Sequence, residues 1–79
     1  MDIKLQIKDT LSKLLKVKLE DLKDDVALQN SVGVDSTEMV EAVIALEKTF
    51  NTKLSPNEIT KFSTINDIEK IVQSKLGSS

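Results

Sequence analysis

Apolar residues recur along the chain with the spacing of helices. Near the N-terminus, one face of a helix over about residues 3–16 is formed by Ile3, Ile7, Leu11, Leu14 and Leu15, which follow one another mostly at intervals of three or four. Asp2 is predicted to be the N-cap of this helix. No segment alternates apolar and polar residues in the manner of a strand, so the pattern predicts an all-α fold.

Residues 17–35 show no dominant period, and we predict a long, partly ordered loop there. Leu19 and Leu22 have the spacing of a short helical turn. Gly33 is interpreted as a backbone position that needs positive φ or lies in close contact with a neighbouring element. The apolar residues expected to hold this loop against the core are Val26, Leu28, Val32 and Val34.

The longest apolar periodicity follows this loop and predicts the central helix of the fold. Its buried stripe is predicted to contain Met39, Val43, Leu46 and Phe50, widened by Val40 and Ile44. Asp35 and Glu38 have the spacing of a capping box, with Asp35 as the N-cap and Ser36 at the first helical position. Glu38, Glu41 and Glu47 precede the first lysine of this helix, which predicts an acidic outer face.

Two further helix starts complete the predicted fold. Residues 55–58 supply a serine cap, a proline and a glutamate in the order that opens a helix, and this short helix is predicted to bury Ile59 and Phe62. Thr64 is predicted to cap a last helix that ends before Gly77. We therefore predict a small four-helix bundle of three longer helices and one short helix, with the long loop between the first two. Residues 1–76 are predicted to form a single domain, and residues 77–79 a flexible tail.

Composition narrows the possible functions. The chain has 79 residues, 11 lysines and arginines and 13 acidic residues, and its formal charge of -2 does not favour a nucleic-acid partner. No apolar run is long enough to span a bilayer and no signal peptide is evident, so we predict a cytoplasmic protein. Cysteine and histidine are absent, which excludes a thiolate nucleophile, a Ser-His-Asp hydrolase built from this chain alone, and the usual zinc sites; we predict no metal and no enzymatic activity.

Ser36 is the residue that most directly suggests chemistry. A side chain on the first turn of a helix, beside unpaired N–H groups and the positive end of the helix dipole, is well placed to carry or bind a phosphate. Serine at a helix start is also common because it suits the terminus. Position alone leaves both interpretations open.

The motif around Ser36 resembles that of the acyl carrier proteins. Residues 33–36 read Gly-Val-Asp-Ser and precede Val-Glu-Ala-Val-Ile-Ala-Leu-Glu at residues 40–47, whereas the signature of that family is Gly-x-Asp-Ser-Leu opening an acidic second helix. The similarity extends over nearly the whole chain. It implies that Ser36 is esterified by a 4'-phosphopantetheine arm taken from coenzyme A, and that the thiol of the arm holds acyl groups as thioesters. It also implies a carrier that performs no catalytic step itself.

The resemblance implies partners and further site residues as well. A phosphopantetheinyl transferase installs the arm, with Asp35 contributing to that complex, and other enzymes load and process the cargo. Glu38, Glu41 and Glu47 match acidic positions that meet basic patches on those enzymes, and Thr37 occupies another partner-contacting position. Candidates for lining an acyl pocket, which are also core candidates, are Leu28, Val40, Val43, Leu46, Leu54, Ile59, Phe62 and Ile71. The expected state is a monomer.

Some residues depart from the family pattern. Thr37 replaces the usual leucine, Lys48 interrupts the acidic run, and residues 29–32 are less acidic than usual. We interpret these changes as those of a specialised carrier, serving a dedicated pathway or an unusual acyl or aminoacyl unit. The alternatives are an unmodified carrier-like interaction domain and a helix-turn-helix regulator, the latter disfavoured because the lysines are scattered and arginine is absent.

Overall fold

Four α-helices connected by turns make up the part of the chain that the structure describes. A computed structural model describes residues 2–77, and within that range it contains no strand. The helices are α1 (Ile3–Leu15), α2 (Leu28–Val32), α3 (Ser36–Phe50) and α4 (Ile65–Gly77), with a single 3₁₀ turn at Leu19–Asp21. α1 packs against both α3 and α4. The prediction of an all-α fold with three longer helices and one short one is confirmed, although the short helix is α2 and not the one predicted after Ser55. None of the described helices is long and apolar enough to cross a membrane.

The predicted caps explain where the helices begin. The Asp2 carboxylate accepts a hydrogen bond from the Leu5 N–H at 3.1 Å, which confirms Asp2 as the N-cap of α1. Thr64 and Asp67 form a reciprocal pair at the start of α4, in which each side chain accepts from the backbone N–H of the other. α4 extends through Gly77, one residue beyond the predicted end, and residues 78–79 of the predicted tail lie outside the described part.

The core is a single aliphatic cluster with contributions from every helix. The stripes predicted for α1 and α3 supply its centre, because residues three or four apart share one helix face. The buried apolar residues are Ile7, Leu11, Leu22, Leu28, Val34, Met39, Ala42, Val43, Leu46, Phe50, Leu54, Ile59, Ile65, Ile68 and Val72. Val40 and Ile44 do not belong to it: they are 46% and 47% exposed, which corrects the prediction that they widen the buried stripe.

The long loop is more ordered than its sequence pattern indicates. Its short turn at Leu19–Asp21 is confirmed, but the five residues of α2 were missed because so short a helix shows no period. α2 docks through its own first residues, since the Leu28 N–H donates to the Ser63 carbonyl at 3.0 Å and the Gln29 N–H to the Lys61 carbonyl at 2.9 Å. Gly33 ends α2 with φ of 68°, which confirms the predicted positive φ.

A second set of contacts holds the middle of this loop to the neighbouring helices. The Asp24 carboxylate pairs with Lys8 and Lys4 of α1, while its backbone carbonyl accepts from the Asn66 N–H of α4 at 3.0 Å. The hydrogen bond from Lys8, reinforced by the charges of both lysines, lowers the pKa of Asp24 below its ordinary value. The loop is therefore fixed at both Asp24 and Leu28 before it reaches α3.

The predicted short helix at residues 55–62 is replaced by two successive turns. Ser55 does begin one helical turn, because its carbonyl accepts from the N–H groups of Glu58 and Ile59. The turn does not continue, since the next backbone N–H groups are taken by side chains: Thr60 N–H donates to the Ser63 hydroxyl and Phe62 N–H to the Thr60 hydroxyl.

The position of Phe62 follows from these turns. The chain reverses so that Ser63 is buried and Phe62 is 67% exposed, with the Lys61 ammonium 5.4 Å from its ring centroid. The prediction that the segment buries Ile59 is confirmed, and the prediction for Phe62 is wrong.

Candidate functional site

Ser36 is the first residue of α3 and its side chain reaches solvent. Gly33 terminates α2, Val34 is only 3% exposed and lies in the core, and Asp35 is the N-cap of α3. The short connection therefore fixes the backbone on the N-terminal side of Ser36. The result is an exposed hydroxyl on a rigidly placed helix terminus.

The predicted capping box is present. The Glu38 N–H donates to the Asp35 carboxylate at 2.7 Å, and the Asp35 N–H donates to the Glu38 carboxylate at 3.1 Å. These two bonds satisfy two of the four N–H groups that the start of a helix leaves without a partner. In residues 2–77, no group accepts a hydrogen bond from the backbone N–H of Ser36 or Thr37. Two backbone donors and the positive end of the helix dipole thus remain next to the Ser36 hydroxyl, a setting that suits a phosphate ester.

The acidic side chains beside Ser36 belong to the capping box of α3. The two nearest acidic side chains in sequence, Asp35 and Glu38, already accept hydrogen bonds from the backbone of the capping box. Across the described residues, no group of acidic side chains is arranged to hold a metal ion. Among residues 2–77, the Ser36 hydroxyl itself takes part in no side-chain hydrogen bond.

The three glutamates of α3 do not share one face. Glu38 and Glu47 are nine positions apart, about two and a half helical turns, so they lie on opposite sides of the helix. Glu38 closes the capping box, and Glu47 is half-buried because its carboxylate accepts from the Leu54 N–H at 3.0 Å. Only Glu41 is exposed without such a bond, which corrects the predicted acidic outer face.

The solvent-facing side of α3 has a different composition. Besides Ser36 and Thr49, its exposed residues are Thr37, Val40, Glu41, Ile44 and Lys48, and these five lie within about a third of the helix circumference. We name this set the outer stripe. It was missed because the apolar pattern assigned Val40 and Ile44 to the core. A helical projection centred on Met39, Val43, Leu46 and Phe50 places both near or beyond the edge of the buried face and would have found them.

The eight candidates for an acyl pocket are divided between the core and the surface. Five of them are buried, namely Leu28, Val43, Leu46, Leu54 and Ile59. Ile71 is half-buried and packs against the core, while Val40 and Phe62 are exposed. A small cleft of about 90 Å³ opens elsewhere, between Leu14 and Leu15 of α1 and Glu38 and Glu41 of α3.

Comparison with known proteins identifies the family to which this chain belongs. The family model described as "Phosphopantetheine attachment site" matches residues 6–72, which include Ser36 and most of the core. The chain is also similar to the acyl carrier protein of Wolinella succinogenes, with 31% identity over 67 residues that cover 85% of this chain and 88% of the relative. These matches confirm the predicted family and its phosphopantetheine cofactor.

Proposed function

The chain belongs to the acyl carrier protein family, and we propose that it carries acyl intermediates as thioesters on a 4'-phosphopantetheine arm attached to Ser36. The observation that supports this most directly is the exposed Ser36 hydroxyl at the first turn of α3, inside the part of the chain that matches the family model. The other serines lack this combination of exposure, helix start and preceding Gly-Val-Asp segment.

The residues around Ser36 have distinct roles in this proposal. In the priming reaction, the Ser36 Oγ forms a bond to the pantetheine-side phosphorus of the coenzyme A pyrophosphate. The bond from that phosphorus to the bridging oxygen breaks, adenosine 3',5'-bisphosphate leaves with that oxygen, and the hydroxyl proton passes to a base of the transferase or to water. The arm supplies the thiol on which cargo is held. Asp35 and Glu38 keep the first turn of α3 formed, and the N–H groups of Ser36 and Thr37 favour the negative charge of the phosphodiester. Asp35 also contacts the transferase.

Partner enzymes supply the catalysis. We assign Thr37, Glu38, Glu41 and Glu47 as partner contacts. Glu41 is the most accessible of the three carboxylates. The Glu47 carboxylate also accepts a hydrogen bond from the Leu54 N–H, so it contacts a partner only while keeping that bond. The partners are a phosphopantetheinyl transferase and enzymes that load and process the cargo in fatty-acid or specialised acyl biosynthesis. The proposed state is a monomer in the cytoplasm.

The cargo site is proposed to form by opening of the core. The buried pocket candidates from α2, α3 and the turns at residues 54–59 are aliphatic, and aliphatic side chains can repack around an acyl chain more readily than aromatic rings. Val40 and Phe62 enter such a site only if their side chains turn inward, so the proposal rests on the five buried candidates and Ile71.

The test is the intact mass of the chain after incubation with coenzyme A, magnesium and a broad-specificity phosphopantetheinyl transferase. We expect the gain of one phosphopantetheine, which Ser36→Ala abolishes. Ser74→Ala is the matched control, because Ser74 is exposed on α4 and its replacement should leave the gain unchanged. No gain under conditions that modify a control carrier would instead support an unmodified interaction domain. The mass of the thioester isolated from the source cells would separate acyl from aminoacyl cargo.

A further inference from the structure

The outer stripe combines apolar contacts with separated charges. Thr37, Glu41, Ile44 and Lys48 follow at intervals of four, three and four, so they lie on one face, with Val40 at its edge. Val40 and Ile44 are the largest apolar side chains that α3 exposes. The two adjoin on the helix surface because they are four residues apart.

The outer stripe carries two opposite charges, one in its middle at Glu41 and one at its C-terminal end at Lys48. Glu41 lies on the N-terminal side of Ile44, and Lys48 lies in the last turn, where it also suits the negative end of the helix dipole. Within residues 2–77, Lys48 forms no ion pair and no hydrogen bond through its ammonium group. Lys53 adds a second exposed cation at this end, where it lines a shallow cleft with Ile44 and Lys48. The rise of an α-helix separates the backbones of Glu41 and Lys48 by about 10 Å.

We propose that Lys48 is a specificity-determining residue of the outer stripe: it favours a partner protein that presents an acidic group at this end of α3 and disfavours one whose docking patch is basic throughout. This inference rests on the proposed carrier function and specifies the chemistry of the partner. A uniformly basic docking patch would place a cation against Lys48. The repulsion between these like charges would weaken the binding of such a partner. Lys48 therefore determines specificity: it rejects partners that a uniformly acidic helix accepts.

The test measures docking without requiring the arm. The unmodified chain is used as a competitive inhibitor of an acyl-loading enzyme of fatty-acid synthesis, chosen because its docking patch is wholly basic. A second form of that enzyme carries one Lys→Glu change. The change lies in the part of the docking patch that contacts the C-terminal end of the carrier helix corresponding to α3. Inhibition constants are measured for the unchanged chain, Lys48→Glu and Lys48→Gln against both enzymes.

We expect the two enzymes to rank the three chains in opposite orders of inhibition constant. Lys48→Glu should inhibit the basic enzyme about threefold more tightly than the unchanged chain, and the altered enzyme about threefold more weakly, with Lys48→Gln between the two. Lys70→Glu is the matched control, because Lys70 is an exposed lysine of α4 and its replacement makes the same change in net charge. Circular dichroism establishes that each variant is folded.

Three results would overturn the inference. Equal inhibition constants for all variants would show that Lys48 does not face the partner. Equal shifts for Lys48→Glu and Lys70→Glu would show an effect of net charge alone. A dimer of the unchanged chain in sedimentation analysis, lost in Ile44→Ala, would assign the outer stripe to a second copy, since its opposite charges also complement themselves in antiparallel pairing. The mass test of Ser36 is independent of all three and decides the carrier function separately.

Discussion

Replacing Glu47 by alanine removes the acceptor that holds the backbone N–H of Leu54, and the stability of the domain should fall. Leu54 is buried, and the bond ties the turn after α3 to the helix itself. A hydrogen bond to a charged group contributes about 1.5–3 kcal/mol, and partial exposure of Glu47 places the expected loss nearer the lower end, at about 1–2 kcal/mol. In a domain of this size, that loss lowers the melting temperature by roughly 4–16 °C.

Glu41→Ala is the control that isolates this bond. Both glutamates lie inside α3, so both replacements change helix propensity by the same few tenths of a kcal/mol, but Glu41 accepts no hydrogen bond from the described residues. Glu47→Gln keeps an oxygen acceptor and should lose about half as much as Glu47→Ala. The free energy of unfolding from urea titration provides the measurement. Equal stability of Glu47→Ala and Glu41→Ala would refute a structural role for Glu47.

Replacements at four other positions test separate parts of the fold. Gly33→Ala meets no atom within 4 Å, so its expected loss of about 1–2 kcal/mol reflects only the left-handed backbone, and Gly33→Asn should lose less in the same urea titration. Asp24→Asn should remove an acid-sensitive contribution: because the pKa of Asp24 is lowered in the folded chain, its stabilisation is present above the ordinary aspartate pKa near 4 and is lost as the pH falls through the folded value. The stability curves of the parent and Asp24→Asn should therefore converge in acid; a constant difference would contradict this assignment. Leu46→Ala should lose about 3 kcal/mol and Phe62→Ala less than about 0.5 kcal/mol, and comparable losses in thermal melts would contradict the exposed position of Phe62.

The features that sequence reasoning predicted are those set by neighbours along the chain. The caps at Asp2, Asp35 and Thr64 each involve a residue three positions later, and the stripe of α1 requires only the helical period. α2 could not be predicted in this way, because the bonds that hold it in place come from the carbonyls of residues 61 and 63. The exposure of Phe62 has the same origin, since it depends on how those turns reverse the chain.

The same distinction applies to the functional site: residues placed by a contiguous segment were predicted, and residues whose exposure depends on distant contacts were not. Ser36 and Asp35 were predicted from a contiguous segment, which lies within the residues 6–72 that match the family model. The partner contacts were harder to predict, because a count of charges along α3 does not show which ones reach solvent. Glu47 demonstrates the difficulty: its carboxylate is used by Leu54, seven residues away, in a turn whose course the sequence does not reveal.

The order of residues before Ser36 has a physical explanation at every step. Gly33 adopts the left-handed conformation that ends α2, Val34 enters the core, and Asp35 begins α3 by binding the Glu38 N–H. The motif therefore places a hydroxyl reproducibly at the surface while leaving its side chain accessible, which is what a partner enzyme needs in order to modify Ser36. The outer stripe then begins one residue later, at Thr37, so the same helix start fixes both the proposed attachment point and the surface that selects the partner.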